Sequence, residues 1–409
     1  PNTVKNHDIM KRFAALMLAA TFAFTFQYAA AQDEKKDSTG FQFTDVVTVP
    51  QTSVKDQHRS GTCWSFSALS FFEAELLRMN KGEYDLSEMF VVYHNYHDKA
   101  EAYVRYHGTM EFAAGGSVGD VLQVLKKYGA VPEEVYKGLE YGEDNHTHGE
   151  LDNVLRAYVD AVNKNGNRRL STAWLNGYDG VLDAYLGKIP ANFTYKGKNY
   201  TPKSFGESLG LKYDDYEFYT SYTHHPFYEP FILEIQDNWR RGMNMNVPLD
   251  ELIEIIDNAL NNGYSVAWGS DVSEKGFMWK KGVAIIPVKT TDEVAGMEAL
   301  KWSSLSKEER AKMLKEINEP VPEPKVTQEM RQKAFDNWET TDDHGMVIVG
   351  IAKDQNGNKY YKVKNSWTAE GIYEGYFYAS EAFVRYKTMN IMINKNAVPK
   401  AIRKKFEKK

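Results

Sequence analysis

The stretch "VKDQHRSGTCWSFSALSFFEAELL" (54–77) holds the single cysteine of the 409-residue chain, Cys63, with Trp64 directly after it and a long apolar run behind. Residues 63–79 read as a helix: Phe66, Leu69, Phe72, Leu76 and Leu77 recur at helical spacing, and "NKG" (80–82) stops the run. Cys63 therefore stands where the loop "DQHRSGT" turns into a helix. Unpaired backbone N–H groups and the positive end of the helix dipole stabilise a thiolate there. A thiolate is the reactive form, so the position suits a nucleophile. A small buried hydrophobe is the other reading, and position alone leaves both open.

The rest of the composition is that of a folded globular protein, with 42% hydrophobic, 13% aromatic and 26% charged residues. One cysteine excludes an internal disulfide and a cysteine-based zinc or iron–sulfur site. The formal net charge is −6, while the last fifteen residues, "KNAVPKAIRKKFEKK", hold seven basic side chains and one acidic. The remaining body is acidic and does not invite nucleic acid. Near the N-terminus, Met10-Lys11-Arg12 precedes the apolar stretch "FAALMLAATFAFTF" (13–26) and then Ala29-Ala30-Ala31. A basic flank, a short apolar core and small residues before a cleavage point predict a secretory signal peptide, with a start at Met10. The mature chain would then begin at Gln32, carry no membrane span and reside outside the cytoplasm, secreted or periplasmic.

Further along, helices are expected over 118–130, 150–164, 229–241, 249–263 and 305–317, a strand over 264–272, and a stiff linker at "NEPVPEPKV" (318–326). The end is strand-rich: "GMVIVGIAKD", an Asn356-Gly357 turn, "KYYKVKNSW" and "EGYFYAS". Helices first and strands last indicate an α+β fold with an antiparallel sheet.

A nucleophile needs a base and a group to orient that base. His344, in "DDHGMVIVGI", opens an apolar strand. Asn365, in "VKNSW", lies on the second arm of the hairpin that turns at Asn356-Gly357. Within one bulge, that register sets 344 beside 365. Asn365 can accept the imidazole N–H and fix the tautomer, and Trp367 can shield the pair from water. Gln57, six residues before Cys63, offers an amide N–H beside the Cys63 backbone N–H, the makings of an oxyanion hole. Of the other histidines, His94, His97 and His107 could in principle hold a metal. Their Tyr-rich helical setting favours ordinary surface or core roles, and no metal or cofactor is expected. His146, His148, His224 and His225 are expected in solvated loops.

"KDQHRSGTCWSFS", "DHGMVIVGI" and "VKNSW" together resemble the papain-like cysteine peptidases. "LSEMF" (86–90) and "GGSVGDVLQVLKKYGAVPEEVY" (115–136) extend the likeness. The 281 residues between Cys63 and His344 exceed the roughly 130–150 of papain and cathepsins. The excess, around 140–260, resembles the bleomycin hydrolase/aminopeptidase C branch. So do "GYSVAWGSDVSEKGF" (263–277) and "EGYFYASEAFVRYKTMNIMINKNAVPKAI" (374–402).

The resemblance implies a two-lobed papain-like fold with a long, mainly helical insertion. Its segments are a signal peptide and upstream residues (1–31), a helical lobe with Cys63 (32–139) and the insertion (140–260). A β-rich lobe with His344 and Asn365 (261–395) and a basic tail (396–409) follow. It implies a thiol aminopeptidase acting through Cys63, His344, Asn365 and Gln57, with Gly115, Gly116, Trp367 and Trp64 on the substrate side. The expected partners are a peptide or protein substrate and, by resemblance, further copies in a homo-hexamer. Two departures stand out. Thr368 replaces a family glycine, which predicts a local change of turn. The basic end "RKKFEKK" does not resemble the arm that enters the cleft in bleomycin hydrolases, which raises an open-cleft endopeptidase as an alternative. A non-catalytic peptide-binding protein on the same fold is the alternative from another class.

Overall fold

The computed structural model describes residues 40–287, 312 and 316–407. The apolar stretch 13–26, Ala29-Ala30-Ala31 and most of the helix expected over 305–317 lie outside the described residues. The chain divides after Gly40, and the fold and the site both belong to the unit that begins at Phe41.

After β1 (Phe43–Thr48) come α1 (Cys63–Arg78), α2 (Glu88–Arg105), α3 (Val118–Tyr128), α4 (Gly149–Asn163) and α5 (Ala173–Leu186). Helix α1 is apolar nearly all round, with Trp64, Phe66, Leu69, Phe71, Phe72 and Leu76 buried, so it can only lie in a core. Each such side chain contributes about 2 kcal/mol. Helix α2 starts at Ser87, whose side chain accepts from Phe90 N–H at 3.0 Å. Helix α3 opens with a Ser117/Asp120 capping box and closes at Gly129, whose φ of 90° only glycine adopts easily.

The small hairpin β2 (Phe193–Tyr195) and β3 (Lys198–Tyr200), then α6 (Pro202–Leu209), β4 (Tyr216–Thr220), β5 (Pro230–Ile232), β6 (Met243–Asn246) and α7 (Leu249–Asn261) come next. The helix expected over 229–241 does not form. Pro230 begins a strand that pairs with β6. The Asn238 side chain then ties up the turn, donating to the Leu233 and Gly242 carbonyls and accepting from Gly242 N–H. Arg240 and Trp239 are drawn across to Asp120 at 2.8 and 3.0 Å. Tertiary hydrogen bonds here override helical periodicity.

The last part supplies β7 (Val266–Ser270), β8 (Phe277–Met278), β9 (Val283–Ala284), α8 (Gln328–Asp336), β10 (His344–Asp354), β11 (Lys359–Lys364), β12 (Tyr376–Ser380), α9 (Glu381–Lys387), β13 (Thr388–Asn394) and α10 (Lys400–Glu407). The main sheet runs β5-β6-β4-β13-β7-β10-β11-β12-β9-β8, mostly antiparallel, with β1 also on β10. Residues 318–326 are not a free linker. Val326 is buried, and Glu323 accepts from Ser380 Oγ at 2.7 Å.

One core gathers α1 to α6 (Trp64, Phe72, Leu125 and Leu182 among its members), and a second joins the sheet to α7, α9 and α10 (Ile256, Trp268, Phe383 and Ile402). Helix α1 packs directly on β10, because Gly345 has no side chain. A Cβ on Gly345 would come within 2.6 Å of Ser67 Oγ and 3.4 Å of the Trp64 backbone. Among the described residues, no helix is long and apolar enough to cross a membrane.

Candidate active site

Cys63 is the first residue of α1 and only partly buried. Its backbone N–H has no partner among the described residues, as expected at a helix start. The sulfur lies within hydrogen-bonding reach of the Gly345 N–H, the residue after His344. The packing of β10 under the first turn of α1 thus brings the two expected partners, more than 280 residues apart in sequence, to one place.

His344 Nε2 lies 2.8 Å from Asn365 Oδ1. That oxygen also accepts from Ser366 N–H at 2.8 Å, which fixes the amide orientation. Nε2 must then carry the proton of the neutral ring, leaving the Nδ1 lone pair as the basic site. Trp367 covers the imidazole at 4.5 Å between ring centres.

The hairpin register is a shade different from the simple expectation. Lys353 faces Lys359 and Gly350 faces Lys362, but a bulge between Ile348 and Gly350 shifts the pairing so that Val347 faces Lys364. Carried on, that register sets 344 opposite 367 and diagonal to 365.

Burial raises the Cys63 thiol to about 12, with Asp237 and Asp342 adding to the rise and the N–H groups of Gly345 and Trp64 opposing it. Burial lowers His344 to about 4, against the hydrogen bond to Asn365. Each group alone is therefore held neutral. A proton passing from sulfur to Nδ1 creates two opposite charges side by side, so neither is left uncompensated.

Gln57 sits on the facing loop, 6% exposed. Its Nε2 donates one hydrogen to Ser60 O at 2.8 Å, and its Oε1 accepts from Ser366 Oγ at 2.7 Å. The second Nε2 hydrogen and the free Cys63 N–H are the donors left for an oxyanion. The tripeptide 365–367 thus holds both halves of the site: Asn365 and Trp367 hold the imidazole, and Ser366 holds the amide. The Gln57 N–H to Ser366 O bond, 2.9 Å, closes the clamp. Ser366 was not anticipated from sequence, although it lies inside a motif that was.

On the substrate side, Gly116 lies against Trp64, whose ring a Cβ would approach to 2.9 Å. Trp64 Nε1 donates to Ala114 O at 3.0 Å. Gly115 O accepts from Lys99 Nζ at 2.8 Å, whereas Gly116 N–H and C=O are taken up by no described residue and remain for a peptide.

Behind the Gln57 loop is a further group that the sequence pattern did not reveal. Lys55 Nζ meets Glu73, Asp85 and Glu88 at 3.0, 2.6 and 2.7 Å. Glu73 also accepts from Thr52 Oγ1 and Leu86 N–H. Lys364, next to Asn365, donates to Thr52 O at 2.9 Å.

The histidines differ from expectation in part. His146 and His148 are buried, not solvated, because 146–148 pairs with the Gln57 loop through Arg59. Their burial lowers both to about 4. His224 and His225 hydrogen-bond to Glu234. His94 stacks on Tyr128 at 3.9 Å and His97 pairs with Asp179 at 2.7 Å. Thr368 keeps a glycine-like φ of 100°, so the turn is retained at the cost of strain in a β-branched residue. Helix α10 packs on the sheet side: Ile402 is buried and Arg403 meets Glu217 at 3.1 Å.

A thiol at a helix start, packed against the strand that carries an imidazole, on this fold is the arrangement of a papain-like cysteine peptidase. The solved structure of PepW from Lactobacillus rhamnosis HN001 has this fold, with a TM-score of 0.67, 18% identity, and coverage of 98% of this chain and 94% of that one. The Peptidase C1-like family profile matches residues 10–113 and 325–409. Aminopeptidase C of Lactobacillus helveticus is 24% identical over 399 residues, 86% of this chain and 81% of that protein. Aminopeptidase G of Lactobacillus delbrueckii subsp. lactis is 23% identical over 396 residues, covering 86% and 83%. The chain is thus similar to Peptidase C1-like proteins at both ends and to aminopeptidases C and G over most of its length.

Proposed function

We propose that the protein is a thiol aminopeptidase in which Cys63 is the nucleophile, His344 the acid–base, Asn365 the orienting group and Gln57 an oxyanion donor. The observation that carries this is the tautomer lock: Asn365 Oδ1, oriented by Ser366 N–H, keeps the proton on His344 Nε2 and leaves Nδ1 as the basic nitrogen, one residue before the Gly345 N–H that reaches the thiol. The thiolate attacks the peptide carbonyl, the imidazolium gives its proton to the departing amine, and the neutral ring then takes a proton from water to release the acyl group. Gln57 Nε2 and Cys63 N–H hold the oxyanion in both steps. Gly116 pairs with the substrate backbone, flanked by Gly115, Trp64 and Trp367.

Neither the endopeptidase nor the non-catalytic reading is favoured. The curated relatives aligned over most of the chain are aminopeptidases, and none of the four roles lacks its side chain. Export through the N-terminal apolar segment and assembly into a homo-oligomer belong to the same proposal. N-terminal sequencing of the exported protein and its sedimentation test these two.

The central test is product mapping on a peptide library. Removal of single N-terminal residues is expected, abolished in Cys63→Ala, with iodoacetamide labelling confined to Cys63 in the parent. Internal cleavage, or activity that survives Cys63→Ala, would overturn the proposal.

A further inference from the structure

Just ahead of β10 lies a cavity of about 630 Å3 whose charge is one-sided. Glu234, Asp237, Asp336, Asp342 and Asp343 line it, and no lysine or arginine does. Three of these carboxylates are engaged within the fold. Glu234 accepts from His224 and His225 at 3.0 and 2.8 Å. Asp336 accepts from Gln332 Nε2 at 3.0 Å. Asp343 accepts from Ser273 N–H and Thr341 Oγ1 at 3.1 and 2.9 Å. Among the described residues, Asp237 and Asp342 have neither a hydrogen bond nor an ion pair.

These two belong to the electrostatic surroundings of the reacting centre. Asp342 lies two residues before His344. Asp237 lies over Gly115, where a Cβ would be 2.4 Å from its Oδ1. The next residue, Gly116, touches the Trp64 ring, and Trp64 follows Cys63. Both carboxylates act electrostatically on the Cys63 thiol. A second, independent feature marks the same cavity. Thr340 is 3% exposed and lines it, and its Oγ1 has no partner. A buried hydroxyl without a partner is costly unless something that binds there satisfies it.

Two unpartnered carboxylates and a hydroxyl oxygen are acceptors, and a primary ammonium brings three donors and a positive charge. An anionic ligand would meet only like charge. We propose that Asp237, Asp342 and Thr340 form the pocket that receives the substrate's α-ammonium, so that a free N-terminus sets which carbonyl reaches Cys63. The proposal rests on the aminopeptidase reading and names the part of this chain that enforces it. Burial, then Asp237 and Asp343, raise Asp342 to about 8; burial raises Asp237 to about 6 against the pull of Lys99. Burial thus favours the protonated form of both acids, and an arriving cation can displace that proton.

The test uses the full chain with alanyl-p-nitroanilide, its N-acetyl form and an acetylated peptide with lysine in second position. The parent should cleave only the free amine. Asp237→Asn and Asp342→Asn should each raise KM for it about tenfold or more, as for loss of a charge-assisted hydrogen bond, with the loss on KM more than on kcat. Circular dichroism and a cooperative thermal transition check that each variant is folded. A measurement without any substitution accompanies it: alaninamide should protect Cys63 of the parent from alkylation, and N-acetylalaninamide should not. Unchanged KM in both folded variants, or equal protection by both amides, overturns the pocket. Asp-dependent cleavage of the acetylated lysine peptide also overturns it, by assigning the carboxylates to a side-chain ammonium. Equal cleavage of free and acetylated anilides by the parent overturns the aminopeptidase reading itself. A strict free-amine requirement that survives both substitutions overturns the pocket alone.

Discussion

Two groups of acids flank the reacting centre, and they are built oppositely. On one side Glu73 and Glu88, 1% and 3% exposed, close around the Lys55 ammonium. Glu73 is further held by Thr52 Oγ1 and Leu86 N–H. On the other side Asp237 and Asp342 line a cavity that no described lysine or arginine lines, and neither has a hydrogen-bond donor among the described residues, although Lys99 pulls on Asp237 from outside it. Buried carboxylates with a complete set of partners act as scaffold, here fixing the loop that carries Gln57. Burial raises the carboxyl in both groups, Glu88 to about 7 and Asp342 to about 8, but only the partly buried carboxylates without hydrogen-bond partners leave a demand that a ligand can meet. Residue type does not distinguish the two groups; the partners do.

The sharpest way to break this contrast is to make the first group resemble the second. Lys55→Met keeps the apolar stem and removes the charge, leaving Glu73 and Glu88 buried and uncompensated. A loss of about 3–5 kcal/mol is expected, seen as a lowered denaturant midpoint. A loss under about 1 kcal/mol would mean that the network is incidental to the fold.

A milder change tests whether hydrogen bonds alone can hold the group. Glu73→Gln keeps the shape and an acceptor oxygen but loses the charge and gives an N–H2 to the site. About 1.5–3 kcal/mol should be lost, because the bonds from Lys55 and Leu86 are weakened and a donor is left without a partner. Thermal unfolding of parent and variant side by side measures it.

The contrast also explains what could be read from sequence. Cys63, His344, Asn365 and Gln57 each sit in a segment with its own local signal. These are a helix start, a strand start, an Asn-Gly hairpin and a loop of fixed length before the cysteine. Only the place of the bulge, between Ile348 and Gly350, escaped, since bulges leave no reliable mark on the alternation of side chains. Asp237 was illegible for a different reason. The run 229–241 has helical periodicity, and its extended path is decided by β6, Asn238 and the distant Asp120. Asp342 was in plain view beside His344. Its lack of a partner is a fact about space, which no spacing along the chain encodes. His146 and His148 were misjudged likewise, because the partner that buries their segment, the Gln57 loop, is far away in sequence.

The smallest effect probes the second group and has the opposite sign. Asp342 is raised to about 8 in the fold, by burial first and then by Asp237 and Asp343, and an unfolded aspartate titrates near 4. Between those values the folded state binds more protons than the unfolded state. The Asp342 contribution is therefore fully present below the unfolded value, falls as pH rises, and is lost above about 8. Asp342→Asn keeps the shape and removes the titration. The variant should thus be more stable than the parent at pH 8, with the difference shrinking as the pH falls to 5. Urea unfolding at both pH values measures it. A gain at pH 8 together with a raised KM for free amines would show stability given up for recognition at this position. A loss at pH 8 would instead place Asp342 with Glu73 and Glu88, held by partners, and erase the distinction between the two groups.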